Sequence, residues 1–237
     1  MMRAVEQPVL TPWRPWEAVP VALAALCASV LVAVGLAAAG AGTGTTPVMI
    51  SALVLELSFV GFSVAWVGIR HRQGIGALGL RSTRATRDLA TGAWFGALLF
   101  GVAAFAIVPV LVALWTAVTG NAPPSIDQPV VPVEPSAAQV ALGAFVVVAG
   151  ASLGEEVFFR GFLFGSLRAR LGFGRSAVIS AAAFAIFHVQ PLLVVVMFFV
   201  GFGLAWLYER RGSLVAPIAA HAMFNVIGFT LILMERT

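Results

Sequence analysis

Seven apolar runs, each near the length needed to cross a lipid bilayer, occupy most of this chain and confine it to a narrow class of folds. A hydrocarbon layer of ~30 Å takes about 20 helical residues, and lipid offers no hydrogen-bond partner to an open backbone. Uninterrupted apolar runs therefore fold as helices. The runs start at Val21, Pro47, Thr91, Ala137, Ser176, Leu192 and Leu214, and the one from Ser176 to Val189 is short enough to be half-embedded. They predict an all-α, polytopic transmembrane helix bundle of about seven spans. Residues 1–136 form an N-terminal three-span accessory region and residues 137–237 a four-span core, joined in one membrane domain.

Charge placement sets the topology. All 14 basic residues are arginine, against 10 acidic ones. In a soluble protein a net charge of +4 would invite nucleic acid. With 60% hydrophobic and only 10% charged residues, the arginines here flank membrane runs instead, so a nucleic-acid partner is excluded. Arg70, Arg72, Arg81, Arg84 and Arg87 crowd one loop, Arg168, Arg170 and Arg175 a second, and Arg210 and Arg211 a third. With the amino terminus inside, all three loops fall on the cytoplasmic side. The loop from Gly120 to Pro135 has five prolines, Asp127 and Glu134 and no basic residue, which suits the outer face. Arg3, Trp13, Arg14 and Trp16 form an interfacial lead to the first run. That run exceeds the ~7–15 residues of a signal-peptide core and reads as a retained span. Cys27 is the sole cysteine, so no internal disulfide can form.

Against this apolar background, Glu155-Glu156-Val157-Phe158-Phe159-Arg160 places three charges inside the fourth run. Each costs at least ~2.5–3.5 kcal/mol at such depth and must face a polar interior with partners. Two other stretches supply them: His188 closes Phe184-Ala185-Ile186-Phe187-His188, and His221 and Asn225 bracket His221-Ala222-Met223-Phe224-Asn225. Counted from Arg168, Glu155 lies thirteen residues inward, or ~20 Å, and His188 lies thirteen beyond Arg175. From Arg211, His221 and Asn225 lie ten and fourteen residues in, which brackets the same level. Glu156 and Arg160 are an i, i+4 pair and can meet, whereas Glu155 points about 100° away and is free for another task. Glu56, in the second run, has two readings: a functional intramembrane acid, or a lone protonated or hydrogen-bonded carboxyl near the outer end of its span.

A carboxylate beside an imidazole in a low-dielectric pocket can bind and deprotonate water, because desolvation makes it a stronger base. Glu155 with His188 is the expected pair. The amide of Asn225, with an N–H of His221, can donate to an oxyanion forming on a carbonyl. Together these groups suit hydrolysis of a peptide bond within the bilayer. A zinc alternative uses Glu155, His188 and His221 as ligands with Glu156 as base, but leaves Arg160 beside a divalent cation and Asn225 without a task. A third alternative is a non-catalytic immunity or transport protein that uses the buried Glu/His cluster.

The motifs EExxxR at Glu155, Glu156 and Arg160, FxxxH at Phe184 and His188, and HxxxN at His221 and Asn225 resemble, in order and spacing, the CPBP family. These are intramembrane proteases, also called the Abi or CAAX-protease and bacteriocin-processing family, and they include Rce1-like endopeptidases. The resemblance covers about Ala137 to Met234. It implies an intramembrane endopeptidase acting on a membrane-associated peptide or protein, with Glu155 as base, no required metal, and a cavity opening to the cytosol. The expected location is a bacterial plasma membrane. Seven spans and an external carboxyl terminus depart from the eukaryotic branch, so prenylated substrates do not carry over from it.

Overall fold

Local signals set where the helices begin and end. Ser136 and Gln139 form a capping box: Ser136 Oγ accepts the Gln139 N–H at 3.3 Å, and Gln139 Oε1 accepts the Ser136 N–H at 3.0 Å. Pro191 opens a helix where its missing N–H costs nothing, and Gly120 (φ 70°) and Gly212 (φ 67°) close others in the left-handed conformation. The computed structural model describes residues 11–42, 44–124, 132 and 134–236. Arg3 and Asp127, used above as flanking charges, lie outside the described residues.

Among the described residues, six helices are long and apolar enough to cross a membrane. They are α1 (Ala18–Ala38), α2 (Thr45–His71), α3 (Ala85–Thr119), α4 (Ala137–Ile186), α5 (Pro191–Arg211) and α6 (Val215–Arg236). There is no strand among the described residues. The seventh pass is contained in α4, whose 50 residues are twice what one crossing needs. Gly172, at φ 74° and ψ 174°, breaks it, and 173–186 runs back along 137–171. Ser180 Oγ donates to Phe159 O at 2.9 Å across this reversal, and Phe159 meets Phe184 and Phe187 edge to face. The returning leg is short, as expected, and ends at His188 before Pro191 starts α5.

Between transmembrane helices in lipid, close backbone approach replaces the hydrophobic drive. Gly92 and Gly96 of α3 lie directly on the carbonyls of Ala216 and Ala220 of α6, where any Cβ would overlap. Thus α3 fixes the helix that carries His221. Ion pairs gather at the arginine-rich end of the bundle. Arg168 holds Glu209 through contacts of 2.8 and 3.0 Å, Arg211 holds Asp88, and Glu17 accepts from Trp66 Nε1 at 2.7 Å and faces His71 Nε2 at 2.8 Å. These contacts tie α4 to α5 and α5 to α3, and the residue before α1 to α2. Trp13, fully buried, donates through Nε1 to Phe162 O at 2.9 Å and seals the same end from inside.

Candidate active site

The first leg of α4 is not a uniform α-helix. It is widened to i→i+5 hydrogen bonding over Phe145–Ala151 and again over Glu156–Phe164, with Ser152–Glu155 as a single α-turn between. Such widening leaves carbonyls without intrahelical partners, and in lipid each needs another donor. Side chains from elsewhere in the bundle reach three carbonyls of these widened segments. Asn225 Nδ2 donates to Val147 O at 2.7 Å, Ser180 to Phe159 O, and Trp13 to Phe162 O.

Glu156 and Arg160 sit inside the second widened segment, and both side chains are wholly buried. Arg160 Nη1 donates to Glu156 Oε1 at 2.8 Å, and Nη2 donates to Gly201 O of α5 at 3.1 Å. The guanidinium carbon lies 4.3 Å from the centre of the Phe184 ring, so the cation is paired, hydrogen-bonded and stacked. The same Glu156 oxygen accepts from His221 Nδ1 at 3.1 Å. Because a carboxylate oxygen only accepts, the hydrogen of a neutral His221 resides on Nδ1, leaving Nε2 as the lone pair. Nε2 faces Glu155 Oε2 at 3.9 Å. Glu155 is the more open of the two glutamates, with 15% of its side chain exposed against none for Glu156.

The expected partner of Glu155 was His188; the imidazole that faces it is His221. His188 turns Nδ1 to Phe184 O of its own helix at 3.1 Å and makes no ion pair with Glu155. Depth along a helix sets height but not direction, which is why the choice between the two histidines was not legible. The rings of His188 and His221 lie 4.9 and 5.8 Å from that of Phe184, so Phe184 gathers His188, His221 and Arg160 around itself. His221 cannot use its Nδ1–H on an oxyanion while Glu156 holds it. Asn225 has spent one amide hydrogen on Val147 O and keeps the other. Of the six residues singled out from the motifs, Glu155, Glu156, Arg160 and His221 are linked by direct approaches, His188 shares the Phe184 ring with Arg160 and His221, and Asn225 reaches α4 at Val147, eight residues before Glu155.

Glu56 lies away from the ends of its span. It lies eleven residues into α2, and it is 6% exposed. A Cβ built at Gly154 would stand 2.5 Å from Glu56 Oε2 and 2.6 Å from its backbone carbonyl, so α2 and α4 touch at the residue before Glu155. The acid is not alone near the outer end; it adjoins the site. Counting inward from Arg70, as was done for the other helices, would have put it at their level.

Zinc fits these residues poorly. Among the described residues no three His, Cys, Asp or Glu groups are arranged to hold a metal ion. The Arg160 cation is bound to the carboxylate that the zinc alternative assigns as base.

Residues 137–227, which carry all three motifs, match the family described as Type II CAAX prenyl endopeptidase Rce1-like. This part of the chain is Rce1-like. The chain is also 35% identical over 71 residues to a Bacillus subtilis (strain 168) protein named "Putative membrane peptidase YdiL". That stretch covers 30% of this chain and 29% of the relative. No solved structure matches the chain. The Rce1-like segment begins where α4 begins and ends two residues past Asn225, leaving α1, α2 and α3 outside it. With six helices long and apolar enough to cross a membrane and an Rce1-like core, the chain is an integral membrane protein.

Proposed function

We propose that this protein is an intramembrane endopeptidase that hydrolyses a peptide bond of a membrane-associated peptide or protein, without a metal. The observation that carries the proposal is the approach of Glu155 Oε2 to His221 Nε2 at 3.9 Å, with Glu156 and Arg160 fixing the imidazole from behind. That gap is too long for a direct hydrogen bond, and a water set to one side can reach both atoms at ~2.8 Å. Glu155 takes a proton from this water as its oxygen attacks the scissile carbonyl, and later passes it to the leaving amine nitrogen. His221 Nε2 provides the second grip on the water. The remaining amide hydrogen of Asn225 donates to the oxyanion. Arg160 touches no reacting atom; it compensates Glu156, which orients His221. The part given to His188 rests on the resemblance, which implies that the histidines and the asparagine together bind the water and the oxyanion.

The arginine-rich end of the bundle is assigned to the cytoplasm and the amino terminus with it, in the plasma membrane of a bacterium. Comparing membrane proteins of cells carrying the wild type with those carrying Glu155→Gln tests the proposal. Membrane-anchored chains should accumulate uncut only in the variant, and identical profiles would contradict it.

A further inference from the structure

Beyond the Rce1-like segment, a buried carboxyl from α2 bears on the site. We propose that Glu56 is a positioning residue, whose carboxyl packs on the backbone at Gly154 and directs the adjoining Glu155 carboxyl towards His221. The inference deepens the proposed hydrolysis by adding an accessory-region residue to it.

Four observations carry it. Glu56 lies in the middle of α2, 6% exposed, where an acid without a task would be replaced at no loss. Its Oε2 is buried and makes no hydrogen bond, and the same holds for Glu155 Oε2 and for Ser152 Oγ one turn away on α4. Three buried polar atoms without a hydrogen-bond partner thus belong to the residues where α2 meets the Ser152–Glu155 turn. Gly154 is what permits the contact, since a Cβ there would lie 2.5 Å from Glu56 Oε2 and 2.9 Å from Glu56 Cα. Finally, the two carboxyls act on each other electrostatically. A carboxyl on the α2 side closes that direction to Glu155 and leaves the side where His221 Nε2 stands 3.9 Å away. Helix packing supports the register: Phe59, three residues on, stacks on Phe158 at 4.7 Å and holds α2 against α4 just beyond the contact.

Glu56→Leu removes the polar group and suits the apolar surroundings, so it folds; Glu56→Gln keeps shape and hydrogen-bonding capacity. The infrared carboxyl bands of Glu155, identified as those lost on Glu155→Gln, should move in Glu56→Leu and lie near their wild-type position in Glu56→Gln. Turnover should follow: in Glu56→Leu, kcat falls roughly tenfold or more with KM little changed, as expected for a misdirected base, while the thermal midpoint holds or rises. Glu56→Gln should recover most of kcat. Glu155 bands indifferent to Glu56→Leu, or a Gln variant as impaired as the Leu variant, would overturn the assignment. The infrared reading needs no substrate, so it decides the role of Glu56 even if peptide hydrolysis itself is disproved.

Discussion

Glu155 and His221 face each other across 3.9 Å, while the far nitrogen of the same imidazole is held 3.1 Å from Glu156. Two adjacent glutamates on one helix thus act on opposite sides of one ring. Glu156, buried with Arg160, orients it; Glu155, partly open, shares a space with it. Directions differing by about 100° between neighbours on a helix produce this division of labour.

Breaking the Glu156–Arg160 pair should cost far more than replacing it whole. Arg160→Met leaves a buried carboxylate uncompensated and should destabilise the protein by roughly 3–5 kcal/mol. Adding Glu156→Leu should restore most of that stability in thermal unfolding, yet not turnover, because His221 then lacks its Nδ1 partner. A double variant as unstable as the single one would contradict the pairing.

Packing of α3 on α6 should govern activity from a distance. Gly96→Ala pushes a methyl group into the Ala220 carbonyl, one residue before His221. Overpacking of this kind costs roughly 1–3 kcal/mol and should lower turnover by displacing the imidazole. Gly101→Ala, with nothing within 4 Å of the added Cβ, should behave as wild type in both measurements.

Metal removal should leave turnover intact. Exhaustive chelation followed by assay in metal-free buffer should give the untreated rate. Loss of activity that returns with Zn²⁺ would contradict the proposed base and favour the alternative that these residues fit poorly.

The legible part of the site was what helical phase and depth determine. The i, i+4 meeting of Glu156 with Arg160 needs only one helix; of the residues expected at one depth from the rise per residue, His221 faces Glu155, whereas Asn225 reaches α4 at Val147, eight residues earlier. Which histidine faces Glu155 depends on the rotation of α6 against α4, and α6 is also packed on Gly92 and Gly96 of α3, outside the motif region; no pattern within the motifs contains it. The widened turns of α4 were equally hidden, since Phe145–Ala151 and Glu156–Phe164 read as ordinary apolar helix. The break at Gly172 falls within the loop marked by Arg168, Arg170 and Arg175, so the reversal before the short returning leg was legible from charge placement. Glu56 carried two readings in the sequence, and its contact with Gly154 depends on how α2 packs on α4, which a single acid in an accessory span does not reveal.

The most direct measurement is cleavage of a bilayer-presented peptide by the purified, reconstituted protein and by its Glu155→Gln variant, with thermal unfolding of both. Wild type should cut, and the variant, equally folded, should lose at least about a hundredfold in kcat. Turnover surviving in a folded Glu155→Gln protein would contradict the assignment of Glu155 as the base.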